Sequence, residues 1–262
     1  MKVIETVAQW QSIRTTIADS VSIGLVATMG CLHKGHEALI EQARQENSII
    51  VVSIFVNPAQ FNDPKDFKNY PETKADDLAL AQRLGVDYVF MPAVSEIYPQ
   101  GECLLIEVDH PLATIFEGEL RPGHYAGVLT VVMKLFQIIR PTHAYFGEKD
   151  YQQCRLIQAM VKGFFLSIEI AMCPTIREIS GLPFSSRNSR LTLDQKILAE
   201  AASQMIRSVN QANCEEVKYQ LVQQGIQVDY LQLFEGRIFS AIKIGSIRLI
   251  DNFVDTDQCV YS

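Results

Sequence analysis

The sequence predicts an α/β fold, because strand-like and helix-like segments alternate along the N-terminal part of the chain. Ile23–Thr28 and Ile49–Val56 are apolar runs rich in β-branched residues, which is typical of strands that are buried on both faces. Helical periodicity follows over Glu37–Glu46 and over Lys74–Leu84. This alternation indicates parallel βαβ units. We therefore expect a Rossmann-like, doubly wound parallel sheet.

The pattern continues to about residue 175, where the character of the chain changes. Before that point we predict strands at Val86–Met91, Leu104–Val108 and Ala144–Phe146, and helices at Val128–Ile139 and Gln152–Phe165. After it come a polar loop (Gly181–Asn188), two predicted helices (Thr192–Asn210, Glu215–Gln224) and two short strands (Val228–Phe234, Ile247–Ile250). We expect two domains: residues 1–174 and a smaller α+β domain of residues 175–262.

Composition excludes several classes of partner. Lys and Arg number 23 against 30 Asp and Glu, so the net charge is -7 and no general basic surface is expected for nucleic acid or anionic lipid. The richest apolar run, Val128–Ile139, is interrupted by Lys134 and Gln137, and no signal segment is seen. The 6 cysteines form no C-x-x-C pair, which argues against zinc and against a disulfide framework. We expect a soluble cytoplasmic protein that acts on small molecules.

The tetrad His33-Lys34-Gly35-His36 lies between a predicted strand and a predicted helix. Unpaired N–H groups and the helix dipole favour an anion at such a position, and nucleotide phosphate is the expected one. Gly35 would let a phosphate approach the backbone, and the spacing lets both imidazoles reach one ligand. The tetrad alone is equally compatible with two polar residues that cap the helix.

Other polar residues also follow predicted strand ends. Asn57 and Gln60 come after the strand at 49–56, and Lys149 follows the strand at 144–146. In open α/β sheets ligands bind beyond the carboxyl ends of the strands, so these residues and His33 are predicted to share one crevice. The common phosphate loops G-x-x-x-x-G-K-[ST] and G-x-G-x-x-G are not found.

Taken in order, the motifs TMGCLHKGH, NPAQF, RPGHY, FGEKDYQQ and SSRN resemble those of the pantoate-β-alanine ligases, the pantothenate synthetase family. The resemblance covers essentially the whole chain. It implies a nucleotidyltransferase-type fold with a HIGH-like turn, and a homodimer. Residues 1–174 would then bind nucleotide and pantoate, and residues 175–262 would form a lid domain. It also implies condensation of pantoate with β-alanine through a pantoyl adenylate, with ATP as co-substrate, Mg²⁺ as cofactor, and AMP and pyrophosphate as products.

The resemblance also implies roles for individual residues. It makes His36, His33, Lys149 and Arg187 catalytic, and it makes Ser185-Ser186-Arg187-Asn188 a mobile clamp that resembles the KMSKS loop of the superfamily. Capping of a helix is the alternative role for the two serines. The implied ATP-binding residues are Met29, Gly30, Cys31, Leu32, His33, Lys34, Gly35, His36, Gly147, Glu148, Lys149, Asp150, Ile176, Phe184, Ser185, Ser186 and Arg187.

Pantoate is implied to bind between Gln60 and Gln153, with Met29 packed nearby, because amides can serve both its hydroxyl and its carboxyl groups. Asp76 and Asp77 match family positions associated with magnesium. Acidic residues are also favoured in the first turn of any helix, so a purely helical role for this pair is the alternative.

Two other functions stay open at this stage. A nucleotidylyltransferase would use the same turn, but its phosphorylated acceptor would call for additional Arg or Lys, whereas Gln60 and Gln153 suit a small hydroxy acid. A catalytically inactive nucleotide-binding homologue is disfavoured by the intact His33, His36, Lys149 and Arg187. The chain departs from the usual family pattern at Cys31, Glu72 and Phe184, and between Phe234 and Ile247 it is shorter than usual, which predicts a trimmed second domain.

Overall fold

The computed structural model describes residues 1–99 and 104–255, and the chain divides into two compact units, the first spanning Met1–Cys173 and the second beginning at Pro174. The first unit contains a six-stranded sheet whose paired strands are all parallel. Its strands are β1 (Lys2–Ile4), β2 (Ile23–Thr28), β3 (Ile49–Ile54), β4 (Tyr88–Phe90), β5 (His143–Gly147) and β6 (Glu169–Cys173). The order across the sheet is β1-β4-β3-β2-β5-β6, which confirms the Rossmann-like α/β class.

Helices connect these strands. The two that carry most of the site are α2 (Lys34–Glu46), which follows β2, and α8 (Tyr151–Gly163), which follows β5. The remaining helices of this unit are α1 (Val7–Arg14), α3 (Pro64–Lys68), α4 (Lys74–Arg83), α5 (Val94–Ile97), α6 (Glu117–Leu120) and α7 (His124–Ile139). None of the helices among the described residues combines the length and apolar character needed to cross a bilayer.

The strand order reverses between β2 and β5. From β2 the chain builds outward through β3 and β4, and it later returns to the other side of β2 with β5 and β6. Ligands of open α/β sheets collect at such a switch point, beyond the carboxyl ends of the strands. Here those ends are Thr28 and Gly147.

The sheet is buried on both faces, as the apolar runs predict. Leu25 and Val26 in β2 and Val51 and Val52 in β3 all have no exposed surface. A strand buried on both faces holds its register firmly, because a slip would move every side chain. The residues just after Thr28 therefore start from a fixed position.

The second unit is a three-stranded antiparallel sheet with two helices. Its elements are α9 (Leu193–Arg207), α10 (Cys214–Gln223), β7 (Gln227–Phe234), β8 (Arg237–Ile244) and β9 (Ile247–Val254). Glu235 and Gly236, which join β7 to β8, both have positive φ, as a tight two-residue hairpin requires.

The structure differs from the sequence-based elements in several places. The strands β1 and β6 and the helix α1 were not predicted. Leu104–Val108 is not a strand, because the backbone N–H of Ile106 donates to Thr130 Oγ1 of α7 at 2.8 Å instead of joining a ladder. The stretch between Phe234 and Ile247 contains the whole of β8, which lies in the centre of the second sheet.

Candidate active site

The turn from Met29 to His33 leaves the switch point with an unusual backbone. Gly30 and Cys31 both have positive φ, at 82° and 51°. A Cβ on Gly30 would lie 3.0 Å from Asp77 Oδ2, so glycine is needed there both for its conformation and for space. Thr28 Oγ1 accepts the N–H of Gly30 at 3.1 Å and donates to the backbone oxygen of Ser53, which ties the turn to β3.

Asp77 clamps this turn from α4. Its carboxylate accepts the backbone N–H of Cys31 at 3.0 Å and that of Leu32 at 2.7 Å, and it also accepts the Thr73 hydroxyl at 3.1 Å. The side chain is buried, whereas Asp76 is exposed.

This bonding does not fit the magnesium role implied for the pair, because both oxygens of Asp77 are occupied by protein donors and Asp76 faces away from that buried position. Among the described residues no group of three or more His, Cys, Asp or Glu could hold a metal ion.

His33 and His36 cap α2 reciprocally. Nδ1 of His33 accepts the N–H of Gly35 at 3.1 Å, and Nδ1 of His36 accepts the N–H of His33 at 3.3 Å. The two rings lie with centroids 4.0 Å apart. Because each Nδ1 is an acceptor, each neutral ring carries its proton on Nε2. The turn therefore both caps the helix and keeps two N–H donors for a ligand.

Gly35 is required by this arrangement. A Cβ there would stand 2.9 Å from Cε1 and 3.0 Å from Nδ1 of His33. The reason found in the structure is thus the packing of the His33 ring, in addition to the backbone access expected from the sequence.

The pKa values of both histidines keep the rings neutral. Burial, followed by the positive charge of Lys149, lowers the pKa of His33 to about 4, although Asp150 partly opposes this. Burial, with His33 and Lys149 nearby, holds the pKa of His36 well below its ordinary value. Lys149 from the end of β5 therefore acts on the same site as the turn after β2, as the switch-point argument predicts.

Lys34 is engaged elsewhere. Its ammonium forms an ion pair with Glu37 at 2.7 Å, and Arg83 of α4 pairs with the same carboxylate at 2.9 Å. These cations lower the pKa of Glu37 and balance an acidic group in the first turn of α2. The helix N-terminus thus stays suitable for an anion.

Neither the backbone conformation nor the described neighbours of Gly147, at the end of β5, require glycine at this position. Its φ is -76°, which any residue adopts, and no atom of the described residues lies within 4 Å of where a Cβ would stand. Glu148, Lys149 and Asp150 follow it in one short turn, and Lys149 Nζ lies 3.8 Å from Asp150 Oδ2. Open space beside this backbone fits the close approach of a ligand.

Gln60 lies beside Met29 in a turn that follows β3. Its Nε2 is 3.2 Å from Met29 Sδ, and its Oε1 accepts from Asn57 Nδ2 at 2.9 Å. Asn57 is itself buried, and its Oδ1 accepts the Tyr98 hydroxyl at 2.7 Å. The predicted neighbours Met29 and Gln60 are thus in contact.

Gln153 and Gln152 have different surroundings in the first turn of α8. Gln152 is buried, and its amide nitrogen donates to the backbone oxygens of Leu112 and Ile115 at 2.9 and 3.0 Å. The side chain of Gln153 is half-buried and forms no hydrogen bond within the part of the chain that the structure describes. Of the two glutamines, Gln153 is the one with its amide available to a ligand.

His124 and Arg121 support Gln60, a role that the sequence analysis does not assign. Nδ1 of His124 lies 2.8 Å from the backbone oxygen of Gln60, and a guanidinium nitrogen of Arg121 lies 3.3 Å from the same atom. Both residues belong to the RPGHY motif, but nothing in that motif indicates that their partner is Gln60.

In the second unit, Ser186–Arg190 forms a short 3-10 helix, and Ser185 is its N-cap. Ser185 Oγ accepts the N–H of Arg187 at 3.2 Å, so this serine does cap a helix. Asn188 Nδ2 donates to the backbone oxygen of Pro183 at 2.9 Å, and the N–H of Phe184 donates to that of Ile176 at 3.1 Å. The predicted clamp residues thus lie in a segment that is held by hydrogen bonds within residues 183–188 and to Ile176.

A doubly wound sheet with a His-x-Gly-His turn and a lysine at its switch point defines a nucleotide-binding α/β enzyme. The model of the pantoate-beta-alanine ligase family matches residues 2–254. The chain is 49% identical over 260 residues to pantothenate synthetase of Coxiella burnetii, covering 98% of this chain and 99% of that one.

Solved structures agree. The crystal structure of a pantoate-beta-alanine ligase from Francisella tularensis, complexed with beta-gamma ATP and beta-alanine, superposes with a TM-score of 0.95 at 45% identity, covering 97% of this chain and 98% of that chain. Pantothenate synthetase from Thermus thermophilus gives 0.89 at 36% identity, covering 97% and 99%. The chain belongs to the pantoate-β-alanine ligase family, whose members are enzymes of pantothenate biosynthesis.

Proposed function

We propose that the chain joins pantoate to β-alanine in two steps, with ATP as co-substrate. The observation that carries the ATP half is the turn after β2, where two neutral imidazoles donate from Nε2 at the N-terminus of α2, next to Lys149. That the related Francisella tularensis enzyme was solved with beta-gamma ATP and beta-alanine supports the same two ligands here.

In the first step a pantoate carboxylate oxygen attacks the α-phosphorus of ATP. An O–P bond forms to give pantoyl adenylate, and the bond to pyrophosphate breaks. Negative charge on the phosphoryl oxygens increases in the transition state, so Nε2–H donors on His33 and His36 and the Lys149 cation would stabilise it. Neutral donors suit this task, because they need no counter-ion when the site is empty.

Pantoate would be held by the amides of Gln60 and Gln153, on either side of Met29. β2, which leads to Met29, lies between β3 and β5, which lead to the two glutamines. In the second step the neutral β-alanine amine attacks the acyl carbon, the amide bond forms as the nitrogen loses a proton to solvent, and AMP leaves with the pair of electrons of the acyl–oxygen bond.

The second unit would contribute the segment that includes Ser185, Ser186 and Arg187, with Ile176 and Phe184 beside the adenine. We propose that Arg187 supplies a further cation to the phosphates and that the segment becomes more ordered on nucleotide binding. Magnesium would enter with ATP as the counter-ion of its phosphates, because the Asp76 and Asp77 pair does not fit a resident ion.

The deciding experiment is pantoate-dependent exchange of labelled pyrophosphate into ATP. The proposal expects exchange with ATP and pantoate alone, and AMP equal to pantothenate once β-alanine is added. A stable nucleotidylated product that β-alanine cannot discharge would instead favour a nucleotidylyltransferase. ADP without AMP would mean a carboxyl-phosphate intermediate, and no turnover at all would favour the inactive homologue.

We also propose that the enzyme is a cytoplasmic homodimer, on the basis of the family resemblance. Light scattering after gel filtration tests the dimer, since a single species at the mass of the 29.5 kDa chain would contradict it. Cell fractionation tests the location.

A further inference from the structure

The backbone of Gln60 is held by the segment that leads into α7. Its carbonyl oxygen lies 2.8 Å from Nδ1 of His124 and 3.3 Å from a terminal nitrogen of Arg121, and the other terminal nitrogen of Arg121 lies 3.0 Å from Nε2 of His124. A guanidinium only donates, so Nε2 must accept. The proton of the neutral ring is therefore on Nδ1, and it is donated to Gln60.

This tautomer is the opposite of the one at His33 and His36, where Nδ1 accepts. His124 is buried, and burial followed by the charge of Arg121 lowers its pKa to about 4, although Glu117 and Asp150 oppose this. At neutral pH the ring stays neutral and can donate only through Nδ1.

The contacts continue from Arg121 toward the second glutamine. Arg121 pairs with Glu117 at 3.5 Å, and the backbone N–H of Glu117 donates to Oε1 of Gln152 at 3.3 Å. Gln152 precedes Gln153 in the first turn of α8. Glu117, His124 and Gln152 are all buried, so this series of contacts from Gln60 to Gln152 has little freedom to change length.

We propose that Glu117, Arg121 and His124 form a positioning network that sets the separation of Gln60 and Gln153, and so fixes the size of hydroxy acid that the two amides accept. The inference rests on the proposed function, in which these glutamines bind pantoate. His124 acts through the main chain of Gln60 and does not itself contact the substrate.

Two matched amide variants test the network. In His124→Asn the side-chain amide can stand where Nδ1 stands, so the donor to Gln60 is kept. In His124→Gln the amide is one methylene further out, near the position of Nε2, and the donor to Gln60 is lost. We expect His124→Gln to raise the KM for pantoate about tenfold, as for the loss of one buried hydrogen bond, and to leave the KM for ATP within about twofold.

His124→Asn is expected to restore the KM for pantoate to within about threefold of wild type. Equal effects on both substrates, or a lower kcat with unchanged KM values, would mean that His124 only packs the core, and the proposal would be overturned. Gln60→Ala, measured in parallel, separates the two levels of inference. If Gln60→Ala leaves the KM for pantoate unchanged, the proposed pantoate site is refuted. If Gln60→Ala raises this KM and His124→Gln leaves it unchanged, only the positioning network is refuted.

A spectroscopic measurement covers the case in which the variants fail to fold. The imidazole ¹⁵N signals of the wild-type protein should show His124 protonated at Nδ1, and Arg121→Met, which removes the donor to Nε2, should leave the proton on Nδ1, because the Gln60 carbonyl oxygen can only accept. A wild-type His124 protonated at Nε2 would overturn the proposal without any variant.

Discussion

Two segments are candidates for binding nucleotide, and they are held in different ways. The Met29–His36 turn of the first unit is fixed by residues outside it, because its amides donate to Thr28 and to the buried Asp77 of α4. In the second unit the side chains of Ser185 and Asn188 bond within residues 183–188, while the backbone N–H of Phe184 donates to Ile176 and that of Leu191 donates to Asn188. A turn fixed by buried groups that are distant in the sequence keeps its shape without ligand, whereas a segment whose hydrogen bonds join residues near in the sequence can open at lower cost.

The difference indicates a division of labour. In the proposed function the first segment is a prebuilt anion site, and the same interactions that cap the start of α2 also set the tautomers of His33 and His36. The second segment is the one whose order a ligand can change. Substitutions in each segment and around it can test the two halves of this comparison.

The largest effect is expected at His36. We expect His36→Ala to lower the rate of pantoate-dependent exchange on the order of 100-fold or more, because a transition-state donor is lost. His36→Asn is the matched control, since its amide oxygen can still accept the N–H of His33 while Nε2–H is absent. The asparagine variant should lose the same activity but keep the roughly 1 kcal/mol of unfolding free energy that the cap contributes. Wild-type exchange in a folded His36→Ala protein would contradict the assignment.

The clamp on the turn is tested at Asp77. Asp77→Asn replaces one acceptor oxygen by a donor that faces the amides of Cys31 and Leu32, and we expect the free energy of unfolding to fall by about 1–3 kcal/mol. The KM for ATP should rise about tenfold, as for one lost buried hydrogen bond in the site. The exposed Asp76→Asn should change stability by no more than about 0.5 kcal/mol. Equal effects of both variants on the magnesium requirement would instead indicate a metal site.

The turn after β2 and its contact with Asp77 show what the sequence can and cannot predict. The strand at Ile23–Thr28 was predicted with the bounds that the structure has, because a β-branched run buried on both faces has few alternatives. The HxGH turn was placed at the start of α2 because a helix N-terminus has local signals. The role of Asp77 was not predicted, because its partners lie 45 and 46 positions away in the sequence and no local pattern encodes such a contact.

Two errors in the predicted strands also arise from contacts that are distant in the sequence. Leu104–Val108 has the composition of a strand but is irregular, since the Thr130 hydroxyl takes the N–H that a ladder would need. β8 was overlooked because Arg237–Ile244 was considered only as a short connection, although its register with both β7 and β9 places it centrally. In each case the deciding partner is tertiary.

The pantoate half of the site is tested with neighbouring glutamines. Gln153→Ala should raise the KM for pantoate about tenfold, equivalent to about 1.4 kcal/mol of lost hydrogen bonding, with little change in the KM for ATP. Gln152→Ala should instead lower the free energy of unfolding by about 1–3 kcal/mol, because it removes the side-chain hydrogen bonds to the backbone groups of the buried residues Leu112 and Glu117. An equal change in both KM values for Gln153→Ala would assign that residue a structural role.

The second half of the comparison is tested by amide hydrogen exchange. ATP should increase protection at Phe184–Asn188 by more than at Met29–His36, because the former segment has hydrogen bonds to residues near in the sequence, whereas the buried Asp77 of α4 already fixes the latter. Arg187→Ala should abolish the increase in the second unit and leave the first unit unchanged. The same protection at Phe184–Asn188 with and without ATP would refute the clamp.

The last prediction concerns how the free energy of unfolding depends on pH below neutrality. The contribution of the histidines should appear in the first unit, where all 5 of them lie. His33 and His124 have a pKa of about 4 in the folded protein, below their ordinary value. Between about pH 6.5 and pH 4 the unfolded chain therefore binds more protons, so the free energy of unfolding falls as the pH falls through this window and is fully present above it. Each such histidine adds up to about 1.4 kcal/mol per pH unit to the slope of the free energy of unfolding against pH.

Trp10 is the only tryptophan and is buried in the first unit, so its fluorescence in urea reports the unfolding of that unit. The slope should be shallower in His33→Asn than in wild type, because the carboxylates that also titrate are common to both proteins; identical slopes would mean that the prebuilt turn holds His33 no differently from the unfolded chain.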